Sequence, residues 1–242
     1  MEYGRLKPPS SLGDDSSEPI WHLRLNPLDT SADSGATTTA EPVDGVDGAF
    51  FLPNVLTAAE CAALISVVEK IGFTSGETLV EVPREVRSND VAVVVVPAAT
   101  TAALSARLKP FVDAKGHDCR GMPSHRIDPD FVNCRWRFYR YLPCGDDGEA
   151  QRFGPHYDGA QPLSAIKDGQ LVDAVPPRGI VRLSQLTVLL YLNDGHAGGE
   201  TVFYPDGDPS SEGIRVAPRR GGAELLILPM GGLYKHVARK RK

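Results

Sequence analysis

The sequence predicts a mainly β domain of the α+β class, a double-stranded β-helix (jelly roll) core with supporting N-terminal helices. Two observations predict it. Helical periodicity is confined to residues 57–112, and every later apolar segment is short, strand-like and bounded by Gly, Pro or Asp. The order, helices first and strands afterwards, fits a jelly roll carrying helices on one side better than the alternating units of a parallel α/β sheet.

The chain has 242 residues, 41% of them hydrophobic, enough to bury one full core. Residues 1–48 are expected as a flexible low-complexity leader, because residues 7–48 are rich in Pro, Ser, Asp, Thr and Gly. One apolar island, Ile20-Trp21-His22-Leu23-Arg24-Leu25, alternates as an edge strand would. The ordered domain is expected over 49–242, with helical support over about 49–115 and the jelly-roll core over about 131–242.

Within the support, Thr57-Ala58-Ala59-Glu60 has the hydroxyl-then-carboxylate spacing of a capping box, and Cys61, Leu64, Ile65, Val68 and Ile71 recur at helical spacing before Gly72. A second helix is expected over about 100–112, with Leu104, Leu108 and Phe111 on one face and Pro110 at a strained or last turn. Strands follow at 136–141, 184–192, 201–204, 213–217 and 223–228.

Charge and cysteines exclude several classes. The net charge is -5, and the one strong basic cluster is Arg239-Lys240-Arg241-Lys242, so no broad cationic face for nucleic acid is expected. No run approaches the roughly 20 apolar residues of a membrane span, and the first residues lack a basic-then-apolar signal. An intracellular place, cytoplasmic or nuclear, is the expectation. Cys61, Cys119, Cys134 and Cys144 form no CxxC pair, which favours reduced thiols over a zinc site built from His117, Cys119, Cys134 and Cys144.

The chemistry is concentrated in Arg152-Phe153-Gly154-Pro155-His156-Tyr157-Asp158-Gly159. On extended backbone, positions two apart project to the same side, so His156 and Asp158 can reach one metal ion. His236, several strands downstream, is the natural third ligand; His117, His125 and His196 compete for that role. Two His and one carboxylate on one face of an octahedral ion leave open positions, the arrangement suited to non-haem Fe(II) and oxygen activation.

Around this motif stand Tyr139-Arg140-Tyr141-Leu142-Pro143, Leu186-Thr187-Val188-Leu189-Leu190-Tyr191-Leu192-Asn193, Gly198-Gly199-Glu200-Thr201-Val202-Phe203-Tyr204 and Val216-Ala217-Pro218, in that order. Taken together these resemble the core of the iron(II)- and 2-oxoglutarate-dependent dioxygenases of the prolyl 4-hydroxylase-like family. The match spans about 139–236, and residues 50–112 resemble the family's helical region more loosely. The resemblance implies an oxidoreductase with Fe(II) bound by His156, Asp158 and His236, 2-oxoglutarate as cosubstrate, ascorbate as a further cofactor, and a protein or peptide substrate hydroxylated at a prolyl residue.

It also implies that Tyr141 donates to the distal carboxylate of the cosubstrate, with Thr187 and Thr201 as further donors, although all three residue types also simply pack in strands. The family pattern continues past the last His with a strand bearing Lys or Arg. Here the given chain reaches only Lys242, so that strand is expected to be missing, with Arg239 or Lys240 as the candidate substitute cation, and a truncated or noncatalytic jelly-roll binding module is the alternative reading. Arg87-Ser88-Asn89-Asp90 resembles family positions at the substrate mouth, or is a charged turn before a buried strand. A dioxygenase acting on nucleobases would share the His-x-Asp pair, but the acidic balance argues against it.

Overall fold

A computed structural model describes residues 3–6, 19–30, 39–75, 86–115, 132–143, 150–159, 161–173, 183–184, 186–227 and 233–238, the side chains of 113–115, 225–227 and 233–238 excepted. The elements run, in chain order, β1 (Tyr3–Leu6), β2 (Ile20–Leu23), β3 (Glu41–Pro42), β4 (Ala49–Leu52), α1 (Ala58–Ile71), β5 (Thr74–Ser75), β6 (Asp90–Val95) and α2 (Ala98–Lys115). They continue with β7 (Arg135–Arg140), β8 (Arg152–His156), β9 (Ser164–Lys167), β10 (Gln170–Asp173), β11 (Leu186–Leu190), β12 (Gly198–Tyr204), β13 (Ile214–Val216), β14 (Ala223–Ile227) and β15 (Leu233–Ala238).

Two four-stranded sheets form the jelly roll. One has the order β11-β14-β4-β3 and the other β13-β12-β15-β8, all pairs antiparallel. The chain alternates between them: β11 lies in the first, β12 and β13 in the second, β14 in the first and β15 in the second. Ala49 and Leu189 from one sheet meet Phe203, Ile214 and Val216 from the other, which places a dry layer between the two inner faces. The opposite face of the first sheet carries Leu52, Leu186, Val188 and Leu190 onto Leu64, Leu104 and Leu108 of α1 and α2. Alternate residues of β11 therefore serve two different cores, as a period of two requires.

A further sheet centres on β6, which pairs in parallel with β2 and antiparallel with β5 and β7. Its Val93 and Val95 pack with Leu6, Ile20 and Leu171, and its Ala92 and Val94, with Val96 just after it, pack with Val67 and Val68 of α1. Burial on both faces explains the unbroken apolar run in β6. The apolar island expected as an edge strand is instead an inner one, since β2 lies between β1 and β6 and buries Ile20 and Leu23. The described parts of the expected leader, β1 to β3, are thus built into sheets through long-range pairing.

The capping box forms as read. Thr57 Oγ1 accepts from Glu60 N at 3.2 Å and Glu60 Oε2 accepts from Thr57 N at 2.8 Å. The second helix is longer than expected, starting at Ala98 and running through Pro110 to Lys115. Burial of Leu104, Leu108 and Val112 holds this segment against the sheet and outweighs the hydrogen bond that Pro110 removes. The hairpin β9–β10, absent from the strands expected above, turns on Asp168 and Gly169 at φ 51° and 74°, the left-handed pair that an Asp-Gly turn favours.

One glycine turn ties the first sheet to the helices. Gly221 (φ 77°) donates to Tyr191 O at 2.7 Å and accepts from Leu56 N at 2.8 Å, and an added Cβ would collide with Leu56 O. Gly221→Ala is therefore expected to destabilise the fold by about 2 kcal/mol or more, through both the clash and the unfavourable φ. A urea midpoint unchanged from the parent chain would contradict this packing.

Candidate metal and cosubstrate site

His156 is the last residue of β8, and Asp158 follows two residues on. His156 Nε2 and Asp158 Oδ1 lie 3.5 Å apart. Two neighbouring ligands of an octahedral ion, each bonded at about 2.1 Å, stand roughly 3 Å apart, so the pair fits a shared ion with a small adjustment. His156 Nδ1 sits 2.8 Å from Gly154 O, and a carbonyl can only accept. Nδ1 therefore carries a hydrogen, which leaves Nε2, beside the carboxylate, as the ring nitrogen that would meet a metal. The ring is also braced by Phe153, stacked at 3.8 Å between centroids and 12° between planes.

Asp158 is held from the opposite sheet: Thr187 Oγ1 donates to Asp158 Oδ2 at 2.7 Å. This fixes one carboxylate oxygen and leaves the other facing the imidazole, as an oriented metal ligand requires. Thr187, expected as a cosubstrate donor, thus has its hydroxyl engaged with the Asp158 carboxylate. Position 236 lies on β15 between β8 and β12, paired with Phe153 on one side and Thr201 on the other. The topology brings the third expected ligand to the strand next to the His-x-Asp motif.

Among the competing ligands, His196 is exposed in a turn beside Gly199, whereas His117 and His125 lie outside the described residues. Arg239, Cys119 and Cys144 also lie outside them. Cys61 and Cys134 are free thiols, each raised above the ordinary range chiefly by burial.

Arg87 lies 4.7 Å from the Phe153 ring and 5.1 Å from that of Tyr139, and its Nε donates to buried Asn89 Oδ1 at 3.1 Å. Ser88 N donates to Arg152 O at 2.9 Å, and Ser88 Oγ accepts from Arg152 N at 3.0 Å. The 86–89 segment consequently backs β8 from outside and stiffens the strand that presents His156.

Between the sheets lies a polar cluster in an otherwise apolar layer. Thr201 Oγ1 and Tyr191 OH are 2.6 Å apart, and Thr201 is fully buried. Burial drives the phenols of Tyr141 and Tyr191 far above their ordinary range, so both are neutral hydroxyls at any ordinary pH. Glu224, 0% exposed, stands beside Tyr191 and Thr201. Burial pushes its carboxyl up to about 7, against the lowering influence of Tyr191, Thr201 and Arg219. Tyr191 and Glu224 were not among the residues singled out from sequence. The available signal was one acidic residue at the start of the apolar strand 223–228.

A carboxyl bound more tightly to its proton in the folded chain than at its ordinary 4.5 makes stability fall as pH rises. This contribution is fully present below about pH 4.5 and lost as pH climbs to about 7, a window worth roughly 3 kcal/mol. Glu224→Gln is expected to flatten that part of the stability–pH curve. Equal slopes for the two proteins between pH 5 and 7 in urea titrations would count against a buried neutral acid.

The sequence matches no protein-family model, and no curated protein matches it. Solved structures similar to the chain include two prolyl hydroxylases. One is the viral collagen prolyl hydroxylase of Paramecium bursaria Chlorella virus-1 in its 2OG complex, at 18% identity and a TM-score of 0.48, covering 81% of this chain and 91% of the other. The second is a Pseudomonas putida prolyl-4-hydroxylase, at 14% identity and a TM-score of 0.47, covering 81% and 87%. The jelly-roll assignment rests on the strand pairing itself. Among the described residues no helix is long and apolar enough to cross a membrane.

Proposed function

We propose that this protein is an Fe(II)- and 2-oxoglutarate-dependent dioxygenase that hydroxylates a residue, prolyl by family resemblance, in a protein or peptide. The observation that carries the reading is the prepared ligand pair: Nε2 of His156 faces Asp158 Oδ1, with the His tautomer set by Gly154 O and the carboxylate set by Thr187. His156, Asp158 and His236 would hold the iron. When bound, iron and 2-oxoglutarate supply the oxidising chemistry, with one oxygen atom entering a substrate C–H bond and the other entering succinate.

The chain's own residues orient and exclude water. Thr187 and Gly154 fix the ligands, while Leu189, Phe203, Ile214 and Val216 keep the interior dry, where electrostatic contacts are strongest. Tyr141, Tyr191 and Thr201 supply neutral hydroxyls on which a cosubstrate carboxylate would rest.

The test is an anaerobic titration of the full chain with Fe(II) and 2-oxoglutarate, followed by the visible charge-transfer band of a chelated 2-oxo acid. A band that saturates with 2-oxoglutarate supports the reading, and peptide hydroxylation is then assayed. One observation favours a second reading, a noncatalytic jelly-roll binding module: the interior carries the Glu224 carboxyl where a cosubstrate carboxylate calls for donors. Iron binding without the band would decide for that module.

A further inference from the structure

Two sheet edges lie side by side on one helical layer without pairing. Among the described residues, β7 pairs only with β6, and β11 only with β14. Yet Trp136 and Phe138 of β7 pack against the same cluster on α1 and α2 as Leu186, Val188 and Leu190 of β11. The two strands also start from one place. Asn133, just before β7, donates from Nδ2 to Pro162 O at 3.0 Å and accepts at Oδ1 from Ser164 N at 3.1 Å. Ser184, just before β11, donates from N to Gln161 O at 2.8 Å, and its Oγ accepts from Gln161 N at 2.8 Å. At the far ends Tyr141 and Tyr191 come near each other, since Tyr141 adds to the rise that burial gives the Tyr191 phenol. The strands therefore run in the same direction, leaving the 161–164 segment together.

Solvent reaches both strands. Every residue of β11 is half-buried, and β7 has no buried residue, whereas five of the six residues of β6 are buried. Half-exposed apolar side chains over a covered helical layer mean that water enters from the edge. One residue step of 3.8 Å, from Gln161 to Pro162, with a hydrogen-bonded side chain on either side of it, spans about the 9–10 Å of two ladder spacings. That is room for one strand, and two edges running the same way can both be satisfied by a single strand antiparallel to each. Open edges of this kind are templates for strand addition from another chain.

The two faces define what such a strand carries. Toward the helices it meets Trp136, Phe138, Leu186, Val188 and Leu190, so every second residue must be apolar. The opposite face of β7 carries Arg135 and Arg137, and Arg137 is exposed. Opposite charges paired across strands are favourable, so the alternate residues are best acidic. We propose that β7 and β11 are the walls of a slot that takes one extended strand of a partner polypeptide, antiparallel to both, with apolar residues toward the helices alternating with acidic residues toward Arg137. This goes beyond the dioxygenase reading and does not depend on it.

The test uses the full chain and acetylated peptides of about eight residues in which valine alternates with glutamate or with lysine. At low salt the glutamate peptide is expected to bind about tenfold more tightly than the lysine peptide, with the gap closing as salt is added. Its binding should slow amide hydrogen exchange about tenfold or more within both 135–140 and 186–190. N-methylation of every second amide blocks one edge of the peptide, and either choice of alternate amides should weaken binding, because both edges are used. Arg137→Glu, a change at an exposed position, should reverse the preference between the two peptides.

No binding at about 1 mM peptide would overturn the proposal. So would protection of one strand only, or of the β1 or β13 edge instead. Dimers of the chain alone that protect the same amides would overturn it in favour of a second copy as the occupant. A preference unchanged in Arg137→Glu would overturn the acidic pattern. Exchange in the unaltered chain decides the slot itself even where the variant fails to fold.

Discussion

Asp158→Ala is expected to abolish formation of the 2-oxoglutarate charge-transfer band and to weaken Fe(II) binding by a hundredfold or more, while leaving the urea midpoint within about 0.5 kcal/mol of the parent. The asymmetry follows from the position of the side chain. Asp158 lies beyond the end of β8, where it accepts a hydrogen bond from Thr187 and approaches His156. Its removal takes away a proposed metal donor but opens no hydrophobic cavity. His156→Ala should lose the band as well, at a somewhat larger stability cost, because Phe153 then loses its stacking partner. Thr187→Val is the finer probe: it keeps the β-branched shape and removes only the donor that orients Asp158, so weakened iron binding with intact folding is expected. A band of unchanged intensity in Asp158→Ala would remove this residue from the iron site.

Arg107→Met is expected to destabilise the chain by about 3–5 kcal/mol, the largest effect on folding from any single polar side chain described here. Arg107 donates from Nη1 to Glu60 Oε2 at 2.9 Å and from Nη2 to Glu60 Oε1 at 2.7 Å, with side-chain exposures of 8% and 4%. It also donates to Val55 O at 3.0 Å and Asp29 O at 2.9 Å. Glu60 in turn caps α1 and accepts from Asp29 N at 2.9 Å. Burial alone would raise the Glu60 carboxyl, but hydrogen bonds from Arg107, Thr57 and Asp29 overcome it and hold the group below the ordinary carboxylate range.

Without Arg107 that charge stays buried with no cation, which is costlier than losing the pair whole. The double variant Glu60→Gln with Arg107→Met should therefore recover a substantial part of the loss. Thermal unfolding is a convenient check, since each kcal/mol moves the midpoint by roughly 2–4 °C in a chain of this size. A single variant within 1 kcal/mol of the parent would show that the network does not lock α2 to α1.

Local physics made several elements legible along the chain. The Thr57–Glu60 box and the apolar spacing after it define α1, and the short strands bounded by Gly, Pro and Asp define most of the jelly roll. The same local spacing set His156 two residues from Asp158, because extended backbone repeats every two positions. The Asp168-Gly169 turn was written there too, but its flanking strands are only four residues each and lack a strong alternation.

Long-range pairing was decided only by the tertiary structure. The 20–25 segment reads as a weak edge strand because its four strand residues carry little local signal, yet β1 and β6 close on both sides of it. The role of Thr187 depended on which residue faces it across 29 positions of chain, and that of Glu224 on the two sheets closing over a carboxyl that an exposed strand would have left in water. In each case the deciding energy, burial of a polar group or pairing of distant strands, exists only once the sheets have met.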